Sequence, residues 1–320
     1  MDRRAFISSI GFVAASLPLY ADAQTTNRVY RLGHLANSAA SEAYTRQITL
    51  PELARLGFAE GRNLVFEGRV GQPDALPGLA VELLVNKPDA IITVGPAMVA
   101  AGAATKTVPI ISFGFDPIAA GLAANYARPG GNVTGVVILV GEMEAKRLSI
   151  LHEAVPDRRR VAALVPPNGR GGNEAALRKA AAGLGLEILV FPAGAPGDYP
   201  GAFAAMKAQG AQALIIGATP EFDRDAKQLA DLALEARLPT ICEWSDMAHK
   251  GCMIGYGPGR TALRKRLADL AAQILRGVPA GEIAIETPTT FEFALNAGVA
   301  KALDVNIPFA IRASADEVIE

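Results

Sequence analysis

Apolar positions along the chain fall into short β-branched runs bounded by glycine or proline, alternating with longer segments whose apolar residues recur at helical spacing. The runs 29–35, 63–66, 90–94, 110–113 and 133–137 predict strands, and 41–56, 76–86 and 98–106 predict the helices among them. The pattern then returns, with strands at 161–165, 187–191, 213–216, 240–243 and 252–254 and helices at 144–154, 173–184, 201–209 and 223–235. Regular β-α-β-α alternation predicts an α/β fold with parallel sheets covered on both faces.

The two halves also echo each other in detail. Leu56-Gly57-Phe58 followed by Leu64-Val65-Phe66 returns as Leu184-Gly185-Leu186 followed by Leu189-Val190-Phe191. Ile91-Ile92-Thr93-Val94-Gly95-Pro96 returns in Leu214-Ile215-Ile216-Gly217-Ala218-Thr219-Pro220, and Val108-Pro109-Ile110 in Leu238-Pro239-Thr240. An offset of about 125–130 residues, a little less for the second echo, matches two successive domain-sized units. Two similar doubly wound, Rossmann-like lobes are the economical reading, although Gly/Pro-rich turns recur in any α/β protein.

Composition narrows the function. The 320 residues carry 31 Lys+Arg against 32 Asp+Glu and only two cysteines, so neither disorder nor a cysteine framework applies. With no basic excess to neutralise phosphates, nucleic acid is not an expected partner. Arg3-Arg4, the uncharged stretch 5–20 and Ala21-Asp22-Ala23 read as a cleavable export signal, residues 1–23, using the Sec or the twin-arginine route. The mature protein is then periplasmic. Cys242 closes one strand-like run and Cys252 opens the next, which in parallel strands puts them at opposite sheet edges; two buried thiols are expected.

In open α/β sheets a ligand sits beyond the carboxyl ends of the strands, at helix N-termini. In the first half those segments carry Asn37, Ser38, Gly95, Pro96, Phe115 and Asp116, and in the second Asn168, Thr219, Trp244 and Tyr256. Small, hydrogen-bonding and aromatic residues together suit a small organic molecule with a carboxylate and an apolar body. Asn37 and Ser38 serve equally as helix caps, and Asp116 before Pro117 as a turn residue. Trp244 is either a stacking platform or a lid on the core, and Tyr256 either lines the cleft or packs at a crossover. No dinucleotide fingerprint, Walker loop, nucleophile elbow or metal-spaced histidine pair appears, so neither a cofactor nor a catalytic residue is expected. His34 near the cleft reads as a packed histidine rather than a catalytic one.

Longer strings then carry a resemblance. Residues 128–136 (Arg-Pro-Gly-Gly-Asn-Val-Thr-Gly-Val), Glu144-Ala145-Lys146-Arg147-Leu148 and Leu151-His152-Glu153-Ala154-Val155-Pro156 resemble the ABC-transporter substrate-binding proteins related to the tryptophan and tyrosine importers. So do Glu243-Trp244, Gly255-Tyr256-Gly257, Pro288-Thr289-Thr290-Phe291-Glu292, Lys301-Ala302-Leu303 and the ending 315–320. The chain departs from that pattern at Cys242, Cys252 and the glycine-rich loop 169–172. The resemblance implies a type I periplasmic binding protein, with lobe one at 28–140 plus 256–285 and lobe two at 141–255 plus 286–320, joined by crossover strands. It implies a monomeric receptor that closes on a small-molecule solute, an aromatic or branched amino acid or an aromatic carboxylate, and docks on the membrane permease of an importer whose separate ATPase subunit supplies the energy. An exported α/β enzyme and a periplasmic ligand sensor are the competing readings.

Overall fold

The computed structural model describes residues 28–167 and 174–320; the segment read as an export signal, Asn168 and the loop 169–172 lie outside the described residues. The chain opens with β1 (Tyr30–Ala36), α1 (Ala39–Tyr44), a π-helical turn (Thr45–Thr49), α2 (Leu50–Arg55), β2 (Leu64–Val70) and α3 (Leu76–Val85). It continues through β3 (Ala90–Val94), α4 (Ala97–Ala104), β4 (Ile110–Gly114) and β5 (Val133–Val137). The order β2-β1-β3-β4-β5 forms a five-stranded sheet in which every pairing is parallel.

After α5 (Val140–Ala154) come β6 (Arg160–Val165), α6 (Glu174–Leu184), β7 (Glu187–Pro192), α7 (Tyr199–Ala208) and β8 (Ala213–Ile216). Then follow α8 (Pro220–Arg224), α9 (Ala226–Glu235), β9 (Thr240–Cys242) and β10 (Ile254–Pro258). The last elements are α10 (Arg260–Leu275), β11 (Phe291–Asn296), α11 (Ala297–Ala302), α12 (Phe309–Ser314) and β12 (Glu317–Ile319). The second sheet runs β12-β11-β10-β9-β8-β6-β7, with only β10 and β11 antiparallel. Its stretch β7-β6-β8-β9-β10 repeats the strand order of the first sheet, so each sheet has a switch point where strand order reverses.

Strands with both faces covered read as unbroken apolar runs, and β3 and β8 are buried along their whole length. The echoed glycines occupy equivalent corners. Gly57 and Gly185 hold φ of 102° and 65° after α2 and α6, a conformation that disfavours any Cβ. At both corners the next amide reaches back to the helix, Phe58 N–H to Leu53 O at 2.8 Å and Leu186 N–H to Ala181 O at 2.9 Å. α5 packs on β8, β9 and β10, whereas α10 returns to pack on β3, β4 and β5.

Several local expectations shift. The helix predicted at 41–56 contains the π-helical turn, where Thr45 Oγ1 bonds back to Ser41 O at 3.1 Å. The helix predicted at 223–235 starts earlier, because Thr219 caps the amide of Phe222 at 3.2 Å and Pro220 takes the first turn, and it breaks at Asp225. The expectation of two free thiols is overturned: Cys242 and Cys252 form a disulfide, with Cα atoms 6.4 Å apart. β10 begins at Ile254, two residues after Cys252, and pairs Ile254 with Ile241. Cys252 therefore belongs to the connection, whose only helix is one 3₁₀ turn (Ser245–Met247), and its amide bonds Met247 O at 3.2 Å. A short coiled connection returns the second cysteine beside the first, where a full crossover helix would have separated them.

Candidate binding cleft

The carboxyl ends of the two sheets face each other, and between them lies a cavity of about 80 Å³ lined by both. Gly95 and Phe115 come to it from the first sheet, and Thr219 and Trp244 from the second. Asn37, Pro96, Phe115 and Thr219 line an adjoining cavity of about 280 Å³. These predicted residues are thus brought together although they come from segments up to two hundred positions apart.

Others are placed differently. Ser38 is buried beside α1 with its hydroxyl unbonded and lines neither cavity. Asp116 faces a separate groove, where its carboxylate accepts the amide of Ile118 at 2.8 Å and the hydroxyl of Tyr126 at 2.9 Å; the turn reading holds. Tyr256 does not line the cleft cavities. Its neighbours Gly255 and Gly257 lie against the backbone of Glu243 and Trp244, so close that a Cβ would fall 2.3 Å and 1.9 Å from carbonyl oxygens. Strand alternation then turns Tyr256 to the opposite face, where it stacks on Phe291 at 6.2 Å. His34 is fully buried against Phe66, and burial first, then Arg264 and Arg46, draw its pKa down to about 3.

The sequence reading missed the basic side of the cleft. Arg260 and Arg264 stand on α10, four residues apart, with Leu263, Leu267, Ala268 and Ala271 on the same buried stripe. A charge in an apolar i, i+3, i+4 stripe was the signal available; the run Arg264-Lys265-Arg266 reads instead as a solvated face. Arg260 reaches across to the second sheet, donating to both oxygens of Asp223 at 2.8 and 2.9 Å and to Asp246 at 3.1 Å. Its guanidinium lies 4.3 Å from the ring centres of both Tyr44 and Trp244. Burial opposes the Arg260 charge most strongly, but the hydrogen bonds and charge of Asp223, together with Asp246, outweigh it and raise the pKa.

Phe113, from β4, and Trp244, beyond β9, also meet across the cleft, with rings 14° from parallel and centroids 6.5 Å apart. Glu243 lies beside them. Burial raises its carboxyl to about 7, against the opposing pull of Arg147 and Arg260. Further cross-cleft bonds join Asn37 Nδ2 to Glu221 Oε1 at 2.8 Å and Tyr44 Oη to Asp246 Oδ2 at 3.3 Å. Among the described residues no group of His, Cys, Asp and Glu could hold a metal ion, and no helix is long and apolar enough to cross a membrane.

Two facing α/β sheets with a polar and aromatic cleft between them are the architecture of a solute-binding protein. Residues 44–319 match the family described as ABC transporter substrate binding protein, and the chain belongs to that family. Its members bind small-molecule solutes and work with membrane components of ABC transporters. A relative named tyrosine-binding protein, from Clostridioides difficile, is 23% identical over 255 residues, 78% of this chain and 73% of that protein. A conserved domain protein of Vibrio cholerae superposes with TM-score 0.84 at 23% identity, covering 91% of this chain and 100% of the other. The ABC domain of Streptococcus pneumoniae in complex with L-Trp gives 0.78 at 19% identity, over 90% of this chain and all of the other. A ligand-free, open substrate binding protein from Clostridium difficile gives 0.65 at 21% identity, with coverage of 91% and 99%.

Proposed function

We propose that this protein is the periplasmic receptor of an ABC importer and that its lobes, 28–140 with 256–285 and 141–255 with 286–320, close around an aromatic amino acid or aromatic carboxylate. The observation that carries the reading is the near-parallel pair Phe113 and Trp244, one ring from each side of the cleft. Aromatic walls on two bodies that move against each other favour a planar ligand by stacking and reward closure at the same time. The tyrosine-binding relative and the L-Trp complex support this ligand class. Gly95, Phe115 and Thr219 form the remaining walls, with Asn37 and Pro96 at the adjoining cavity. The closed form then docks on the permease, whose ATPase subunit supplies the energy.

The test is calorimetric titration of the chain from Gln24, refolded to remove any carried-over solute, with L-tyrosine, L-tryptophan, L-phenylalanine, L-leucine, L-arginine and D-glucose. One-to-one binding of an aromatic member, recovered unaltered, is the expected result. Binding confined to the non-aromatic members removes the aromatic reading, and recovery of a converted compound removes the receptor.

A further inference from the structure

Among the described residues that line the cleft cavity, one buried arginine has no ion-pair partner. Arg264 is 2% exposed and lines the cavity. Its Nη1 donates to Ser41 O at 3.4 Å and Thr45 Oγ1 at 3.1 Å, while its Nε finds no partner. Among the described residues no carboxylate accepts from it. Arg260, one turn earlier, is the internal contrast, since Asp223 and Asp246 neutralise it. Asp223 attracts Arg264 without bonding it, because both its oxygens are turned to Arg260 and Lys250 also approaches Oδ1 at 3.4 Å.

A guanidinium taken out of water without an anion is costly, and native proteins almost always pair such a charge. Arg264 nevertheless remains charged at neutral pH: burial, and then repulsion from Arg260, bring its pKa only to about 9. The group is also firmly held. The π-helical turn wraps it, Thr49 Oγ1 bonds the Arg264 carbonyl at 3.1 Å, and its plane lies 4.4 Å over the Phe113 ring. A rigid, planar donor fork facing a cavity matches the two oxygens of a carboxylate.

We propose that Arg264 is the carboxylate anchor of the cleft, so that the solute is held through an ionised carboxylate, with its body running from the Arg264–Phe113 stack towards Trp244. This rests on the reading of the cleft as the solute site but not on the solute being aromatic. A neutral sugar, amide or ester leaves the Arg264 charge uncompensated and is rejected for that reason.

Matched acid and amide pairs test it on the full mature chain: L-tryptophan and L-tryptophanamide, L-tyrosine and L-tyrosinamide, phenylacetate and phenylacetamide, with L-leucine, succinate and D-glucose alongside. In the wild type each acid that binds is expected to do so at least about 30-fold more tightly than its amide. Arg264→Gln is expected to bring the acid down to the level of the amide, with a ligand-free Tm no lower than the wild type; Arg264→Lys, which keeps the charge but loses the fork, falls between. If acid and amide bind alike, or Arg264→Gln binds the acid within about threefold of wild type, the anchor is wrong and the receptor stands. If an aliphatic carboxylate binds through Arg264 while aromatic ones do not, the anchor stands and the aromatic reading falls. Binding of glucose alone, or of no carboxylate, overturns the anchor.

Discussion

Trp244 is the only tryptophan in the chain, so its fluorescence reports on the cleft directly. Titration with a non-indole aromatic carboxylate should change that emission saturably, and Trp244→Ala should weaken calorimetric binding by about 2 kcal/mol, roughly 30-fold. Unchanged affinity would assign Trp244 to the core instead. Glu243 supplies the pH dependence. It is faced by Arg147 and Glu144 from α5, by Asp223 from α8 and by Arg260 from α10, and burial holds it at about 7 against an ordinary 4.5. A carboxyl raised on folding favours the native state when protonated, so its contribution is fully present below about pH 4.5 and is lost as pH rises through about 7. The stability of Glu243→Gln relative to wild type should therefore grow between pH 4 and pH 8, by up to about 3 kcal/mol, in urea melts. A flat difference would place the carboxylate in water. At this scale the chain disclosed residue types but not their directions: Trp244 and Thr219 were legible from strand ends, whereas Tyr256 was turned away by two glycines whose packing is invisible locally.

At the scale of elements, the connection between β9 and β10 is held by the Cys242–Cys252 disulfide rather than by a helix. Closing a ten-residue separation constrains the unfolded chain by about 2–3 kcal/mol. Replacing both cysteines by serine should lower unfolding stability by that amount and remove the sensitivity of the wild type to reductant. Equal stability with and without reductant would show that the bridge contributes nothing. The loop it braces carries Glu243, Trp244 and Asp246, so slackened binding should accompany the loss. Strands such as β3, β5 and β8 were legible to the residue because their apolar runs end at turn-forming residues. Helix interruptions were not, because the π-helical turn and the break at Asp225 answer to tertiary partners, Arg264 for the first and the Tyr199 hydroxyl, 2.7 Å from Asp225, for the second.

At the scale of the whole molecule, the proposed closure is a population that bonds such as Asn37–Glu221, across the cleft, would govern. Asn37→Ala removes the bond to Glu221 and should weaken every ligand alike, by about 1 kcal/mol or fivefold, leaving their rank order intact. Small-angle scattering should show a larger radius of gyration for the ligand-free variant that ligand reverses. A change in rank order would instead make Asn37 a ligand contact. The sequence by itself determined the alternation of strand and helix, the likeness of the two halves and the family, because period, turn chemistry and string similarity are carried by neighbours along the chain. Only the tertiary structure decided that two arginines of one helix enter the cleft, one ion-paired and one not, that two cysteines meet, and that Phe113 and Trp244 face each other. Those facts depend on which distant segments approach and at what register, and burial assigns a charge its partner, or leaves it without one, only once the lobes have come together.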